Sequence, residues 1–194
     1  MIRIAIFASG AGTNAEKIMQ HFKVHPVVQV ALVVTNNAGA GIIKIARDNG
    51  VPTLVIEKNI FLSKDSYLNF LADRQIEWII LAGFLWKIPS AIINAYPGKI
   101  INIHPALLPK YGGQGMYGHH VHSAVIKNRE RESGISIHLV DEIYDHGKII
   151  MQAKCSVNAN DDISALAKKI QALEHQYYPT IIEKTIIKAK AALN

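Results

Sequence analysis

Residues 1–22 read MIRIAIFASGAGTNAEKIMQHF, and their pattern decides the fold. Ile2–Ala8 is apolar at almost every position, which suits a strand buried on both faces rather than one with a wet side. Gly10 and Gly12 follow at once. Beyond them Ala15, Ile18, Met19 and Phe22 recur at i, i+3, i+4 and i+7, a single apolar stripe of a helix. Strand, glycine turn and helix open a β-α-β unit, so the rest of the chain should alternate in the same way and build a parallel sheet.

The downstream sequence does alternate. Val27–Val34 repeats the buried-strand pattern, Ile42–Asp48 reads as a short helix closed by Asn49 and Gly50, and Thr53–Ile56 reads as another strand. Ser63 is placed to cap a helix carrying Tyr67, Phe70 and Leu71, and Trp78–Ala82 and Lys99–Ile103 are the next core strands. Pro105, Pro109, Gly112, Gly113, Gly115 and Gly118 then crowd one stretch, which marks a functional loop. After a helix near His120–Asn128, Gly134–Val140 alternates strictly and should pair antiparallel with Lys148–Val157. A long helix is expected from Asp162 to Tyr178, capped by Asp161 or Asp162, with Pro179 breaking or kinking it before a last helix. The expectation is an α/β chain: a single Rossmann-like domain over residues 1–194, with a mostly parallel central sheet, helices on both faces and an antiparallel edge region toward the C-terminus.

Composition narrows the function. A chain of 194 residues with 49% hydrophobic and 19% charged side chains has the make-up of a globular domain, not of a disordered segment. Cys155 is the only cysteine, so an intramolecular disulfide and a thiolate-rich zinc site are both excluded, and a reducing cytoplasm is the expected location. The longest apolar runs fall well short of the ~20 residues that cross a bilayer. A net charge of +6 suits an anionic partner, yet the lysines and arginines are dispersed; a small phosphorylated ligand is favoured over nucleic acid or a membrane.

Ser9-Gly10-Ala11-Gly12-Thr13-Asn14 lies where glycines let a backbone approach an anion and helix N–H groups point at it. The spelling through Ala15 also fits a dinucleotide fingerprint, but the second strand ends Val34-Thr35-Asn36-Asn37, without the acid that would hold a ribose, and no Gly-Lys-Ser/Thr follows for a nucleoside triphosphate. A tight turn with no ligand stays open. Asn102 and His104 are i and i+2 on a strand, so amide and imidazole emerge on one side at its carboxyl end. An amide donor beside an imidazole suits an oxyanion formed during attack on a carbonyl, although loop hydrogen bonds would explain the pair alone.

The segments SGAGTN at Ser9–Asn14, LAGFLWKI at Leu81–Ile88, NIHPALLPKY at Asn102–Tyr111, the loop Asp141–Gly147 and LEHQYYP at Leu173–Pro179 together resemble the folate-dependent formyltransferases over nearly the whole chain. The resemblance implies transfer of the formyl group of 10-formyltetrahydrofolate, a co-substrate, to the amine of glycinamide ribonucleotide in purine synthesis, with no metal. It gives catalytic roles to Asn102, His104 and Asp145: the first two, with His104 protonated, steady the oxyanion of a tetrahedral intermediate, and Asp145 helps move the proton. It gives Gly12, Thr13, Asn14 and Glu174 to the ribonucleotide. To the folate it gives Lys64, Leu85, Trp86, Lys87, Ile88, Asn102, Asp141, Glu142, Ile143 and Tyr144. The implied partners are these small molecules, with the chain a monomer or homodimer. Tyr111–Gly118 is longer than in compact members of the family. His119, His120 and His122 read as a helix start rather than a metal site, with His120 or His122 a possible neighbour of Asp145.

Overall fold

Ile4, Ala5 and Ile6 have no exposed surface, as an apolar run with a strand on either side must. The computed structural model describes residues 1–63 and 67–192, so Lys64 lies outside the described residues. Its strands are β1 (Ile2–Phe7), β2 (Val28–Thr35), β3 (Thr53–Val55), β4 (Trp78–Leu81), β5 (Ile100–His104), β6 (Glu132–Leu139) and β7 (Ile149–Ser156). The helices are α1 (Thr13–Phe22), α2 (Gly41–Asp48), α3 (Lys58–Phe61), α4 (Leu68–Asp73), α5 (Ser90–Ala95), α6 (His119–Lys127) and α7 (Ile163–Ala191). The sheet has seven strands in the order β3-β2-β1-β4-β5-β6-β7. The β1–β2, β1–β4, β2–β3 and β4–β5 pairs are parallel, while β6 and β7 run antiparallel. This is the mostly parallel α/β arrangement with an antiparallel C-terminal pair that the alternation implied.

The chain forms two compact units, Met1–Asn102 and Ile103–Asn194. In the first, β1, β2 and β4 supply Ile4, Ile6, Leu32, Val33, Ile79 and Ile80, all essentially inaccessible to solvent. Each such side chain contributes roughly 1.5–3 kcal/mol through burial. The stripe foreseen on α1 is the one buried: Ala15, Ile18, Met19 and Phe22.

In the second unit α7 starts as expected, with the Ala165 N–H donating to the Asp162 side chain at 2.7 Å. Pro179 does not end the helix, which continues without a break to Ala191. The proline is itself buried beside Tyr178, Ile182 and Ile186, and this packed face outweighs the ~3 kcal/mol that an internal proline costs. The residue before α4 is Tyr67 rather than Ser63, whose hydroxyl donates to the Ile60 carbonyl. The short helices α3 and α5 escaped the periodicity because neither spans two turns. Both faces of β6 are buried: Ser133, Ile135 and Ile137 on one and the polar Ser136 and His138 on the other. No helix among the described residues is long and apolar enough to cross a membrane.

Candidate active site

In the first unit the glycine turn closes tightly on α2. Gly12 has φ 82°, and a Cβ there would lie 2.7 Å from Ile42 Cδ1 and 3.0 Å from Ile42 Cα, so no larger residue fits. The Ile42 N–H donates to the Gly10 carbonyl at 3.2 Å, which holds the turn in place. Thr13 and Asn14 then open α1, whose first N–H groups are the donors an anion would meet. The loop after β4 is tied to the same turn, the Leu85 N–H donating to Ser9 Oγ at 2.9 Å. Leu85 is 54% exposed, Ile88 is buried, and Trp86 packs on Phe61 and Phe84 at centroid distances of 5.8 and 6.3 Å. Of the folate residues named from sequence in this loop, Leu85 is therefore the accessible apolar one.

In the second unit the site is built around Asp145. His104, at the end of β5, donates from Nε2 to the Tyr111 carbonyl at 2.8 Å, because a carbonyl oxygen only accepts. Its Nδ1 is left facing Asp145 Oδ2 at 3.5 Å. His138 mirrors this from β6: Nδ1 donates to the Leu139 carbonyl at 2.8 Å, and Nε2 faces Asp145 Oδ1 at 3.7 Å. The Gly113 N–H donates to Asp145 Oδ2 at 3.0 Å, and Asp145 has φ 55°, an uncommon conformation for a residue with a side chain. Each imidazole thus turns its second ring nitrogen toward one oxygen of the same carboxylate.

Charge states follow from burial. Desolvation pushes His104 below its ordinary value of 6.5, against the pull of Asp145 and of the Tyr111 carbonyl, with His138 adding to the lowering. Burial alone would raise the Asp145 carboxyl, but His138, the charge of His104 and the Gly113 N–H together hold it below its ordinary value of 3.8. Burial thus works against the charged form of His104, while the neighbours of Asp145 favour its carboxylate. Burial lowers His122 as well. A histidine depressed in the folded chain stabilises fully above its unfolded value of 6.5, and that stability is lost as pH falls through the folded value. Asp145 contributes with the same sign, in a window below 3.8. The melting temperature should therefore fall between about pH 7.5 and about pH 5, and less so in His104→Gln. Equal melting curves at both pH values would contradict this assignment.

Asn102 precedes His104 by two residues on β5 and shares its side of the strand. Asp141 is turned toward His146, with Oδ2 3.0 Å from its Nδ1, and its Oδ1 accepts the Ile143 N–H at 2.9 Å. Glu142 and Ile143 are exposed, Ile143 at 61%, and Tyr144 is 39% exposed, so this loop offers an accessible apolar surface. Glu174 and Lys87 are both engaged in interactions within the chain. Of the histidines considered as neighbours of Asp145, His120 is exposed and His122 is buried; the neighbour found beside His104 is His138. Sequence reading missed it because Gly134–Val140 looked half-wet, where a histidine on the polar side needs no role. Cys155 is half-buried, with its thiol pushed up by desolvation, which disfavours the thiolate. Among the described residues no group of three or more His, Cys, Asp or Glu could hold a metal ion.

An open α/β sheet with a glycine turn after its first strand, and an Asn-x-His strand end whose histidine meets a half-buried aspartate, matches a known class. The formyl transferase family model matches residues 2–182, and the chain belongs to that family. Among its relatives, the chain is 40% identical over 186 residues to the chloroplastic phosphoribosylglycinamide formyltransferase of Arabidopsis thaliana, spanning 93% of this chain and 64% of that protein. It is 32% identical over 191 residues to the phosphoribosylglycinamide formyltransferase of Bacillus subtilis, covering 96% of this chain and 95% of the other. The crystal structure of the Bacillus halodurans phosphoribosylglycinamide formyltransferase superposes with a TM-score of 0.87 at 36% identity, covering 96% of both chains.

Proposed function

We propose that the chain transfers the formyl group of 10-formyltetrahydrofolate to the amine of glycinamide ribonucleotide, the activity for which the relatives above are named, and that residues 1–194 act as one catalytic domain. Family membership over residues 2–182 supports this reading. The observation that carries it is the Asp145 carboxylate facing the ring nitrogens of two imidazoles.

The chemistry needs one proton moved. Attack of the amine on the formyl carbon leaves a cationic nitrogen and an oxyanion, and the departing folate nitrogen must end with one more hydrogen than it began. Asp145 and His104 take the proton from the attacking amine. The imidazolium so formed, with the Asn102 amide, stabilises the oxyanion, and the proton then passes to the leaving nitrogen. Gly12, Thr13 and Asn14 hold the substrate phosphate, with Glu174 on the ribonucleotide. Leu85–Ile88 and Asp141–Tyr144, with Lys64, serve the folate. The place of action would be the cytoplasm, with the chain a monomer or homodimer.

Incubation with both substrates tests the reading. Tetrahydrofolate and formylated nucleotide should appear in equal amounts; free formate with unchanged nucleotide would make the chain a hydrolase instead.

A further inference from the structure

The double-glycine loop at Tyr111–Gly113 holds both halves of the His104–Asp145 pair. Its first residue, Tyr111, gives its carbonyl to His104 Nε2 at 2.8 Å, and its third, Gly113, gives its N–H to Asp145 Oδ2 at 3.0 Å. Gly112 between them is closely enclosed: a Cβ would lie 2.6 Å from Leu108 Cδ2 and 3.2 Å from Asp145 Cβ, so a side chain there would push on both. Segment 111–113 is therefore a strap across the pair, touching the imidazole with one peptide group and the carboxylate with another.

A strap is only as fixed as its anchor. Tyr111 sits at φ 57°, which a tyrosine adopts at a cost of roughly 1–2 kcal/mol unless its surroundings impose it. Its phenol supplies that constraint. The hydroxyl donates to Glu130 Oε1 at 2.9 Å and accepts from Asn128 Nδ2 at 2.9 Å, so both of its hydrogen-bonding roles are used. The receiving turn is fixed in its own right, since the Asn128, Arg129 and Glu130 N–H groups donate to the Ala124, Ile126 and Val125 carbonyls. Lys110 also reaches Glu130, at 3.1 Å, from an exposed position.

We propose that Tyr111 is a positioning residue, its phenol clamped between Glu130 and Asn128 so that the 111–113 strap sets the distance and orientation of His104 relative to Asp145. This rests on the reading of His104 and Asp145 as the reacting pair. The strap keeps the hydrogen of a neutral His104 on Nε2 and leaves Nδ1 as the nitrogen that gains and loses the proton. The groups facing that imidazole are Asp145 from its loop and His138 from β6, with His122 of α6 close enough to act on its charge.

Tyr111→Phe keeps the ring and removes the anchor. Its kcat should fall about tenfold, with KM for both substrates within about twofold, because orientation rather than binding is lost. Glu130→Ala should behave likewise. Glu130→Gln, which retains an acceptor for the phenol, should recover most of the activity, and Lys110→Ala should keep wild-type kcat. Nitrogen NMR of His104 in the ligand-free protein gives a second readout needing no substrate: the Nε2–H tautomer should dominate in the wild type and mix with Nδ1–H in Tyr111→Phe. Unchanged kcat and tautomer in Tyr111→Phe, or a Glu130→Gln as impaired as Glu130→Ala, would overturn the proposal. A His104→Ala that still transfers formyl groups would overturn the catalytic reading instead, while the NMR comparison still decides the clamp.

Discussion

His104→Ala is expected to lower kcat for formyl transfer by about 10²- to 10⁴-fold, the range over which a positioned acid–base group acts. The side chain is 4% exposed and makes its polar contacts to the Tyr111 carbonyl and Asp145, so its removal strikes the reacting centre. Binding of glycinamide ribonucleotide should change little, because the phosphate is assigned to the glycine turn. Asp145→Asn should cost about as much, roughly 10²-fold or more, since an amide neither takes a proton from the amine nor attracts one to the imidazoles. The double variant should be scarcely slower than the slower single one, for groups passing one proton act as a unit. Single-turnover rates with saturating substrates are the measurement. Multiplicative losses in the double variant, or a loss in affinity equal to the loss in kcat for His104→Ala, would separate the two residues and make His104 a binding group.

What was legible in the sequence follows from the range of the forces involved. Ile2–Ala8 and the stripe on α1 were readable because burial on a regular element repeats with that element's period, and the structure buries those positions. Asn102 and His104 were readable as a pair because a strand places alternate residues on one side. Asp145 lies forty-one positions beyond His104, and its connection came from resemblance; no local rule brings a left-handed aspartate under an imidazole. His138 was hidden for the converse reason. Its strand showed perfect alternation, which licenses any polar residue on one face, and only the cover over that face turns a polar position into a buried one. The anchor of Tyr111 spans nineteen residues to Glu130, a pairing that periodicity does not encode. At Pro179 the expected break does not occur: the local rule was right about cost, and tertiary packing kept the helix continuous.

Gly147→Ala should be severely damaging for so small a substitution, because the methyl group would overlap the Leu139 carbonyl oxygen and lie 3.3 Å from the Asp141 N–H nitrogen. Both obstacles are backbone, so no rotamer change relieves them. The neighbouring ladder is already closed by the Leu139 N–H donating to the Lys148 carbonyl at 2.9 Å, and it opposes any displacement. A loss of about 3 kcal/mol or more follows, which for a chain of this size lowers the melting temperature by roughly 6–12 °C. Gly98→Ala is the calibrating variant: its φ is 67°, but a Cβ there meets nothing within 4 Å, so backbone strain of about 1–2 kcal/mol acts alone. Activity adds a second axis. Gly147 closes the loop that carries Asp145, so the folded fraction of Gly147→Ala should also turn over more slowly per molecule, whereas Gly98→Ala should not. A Gly147→Ala protein that melts within about 2 °C of the wild type would show that the β6–β7 ladder yields to a methyl group. The fixed seat ascribed to Asp145 would then be lost with it, since the same rigidity is invoked for both.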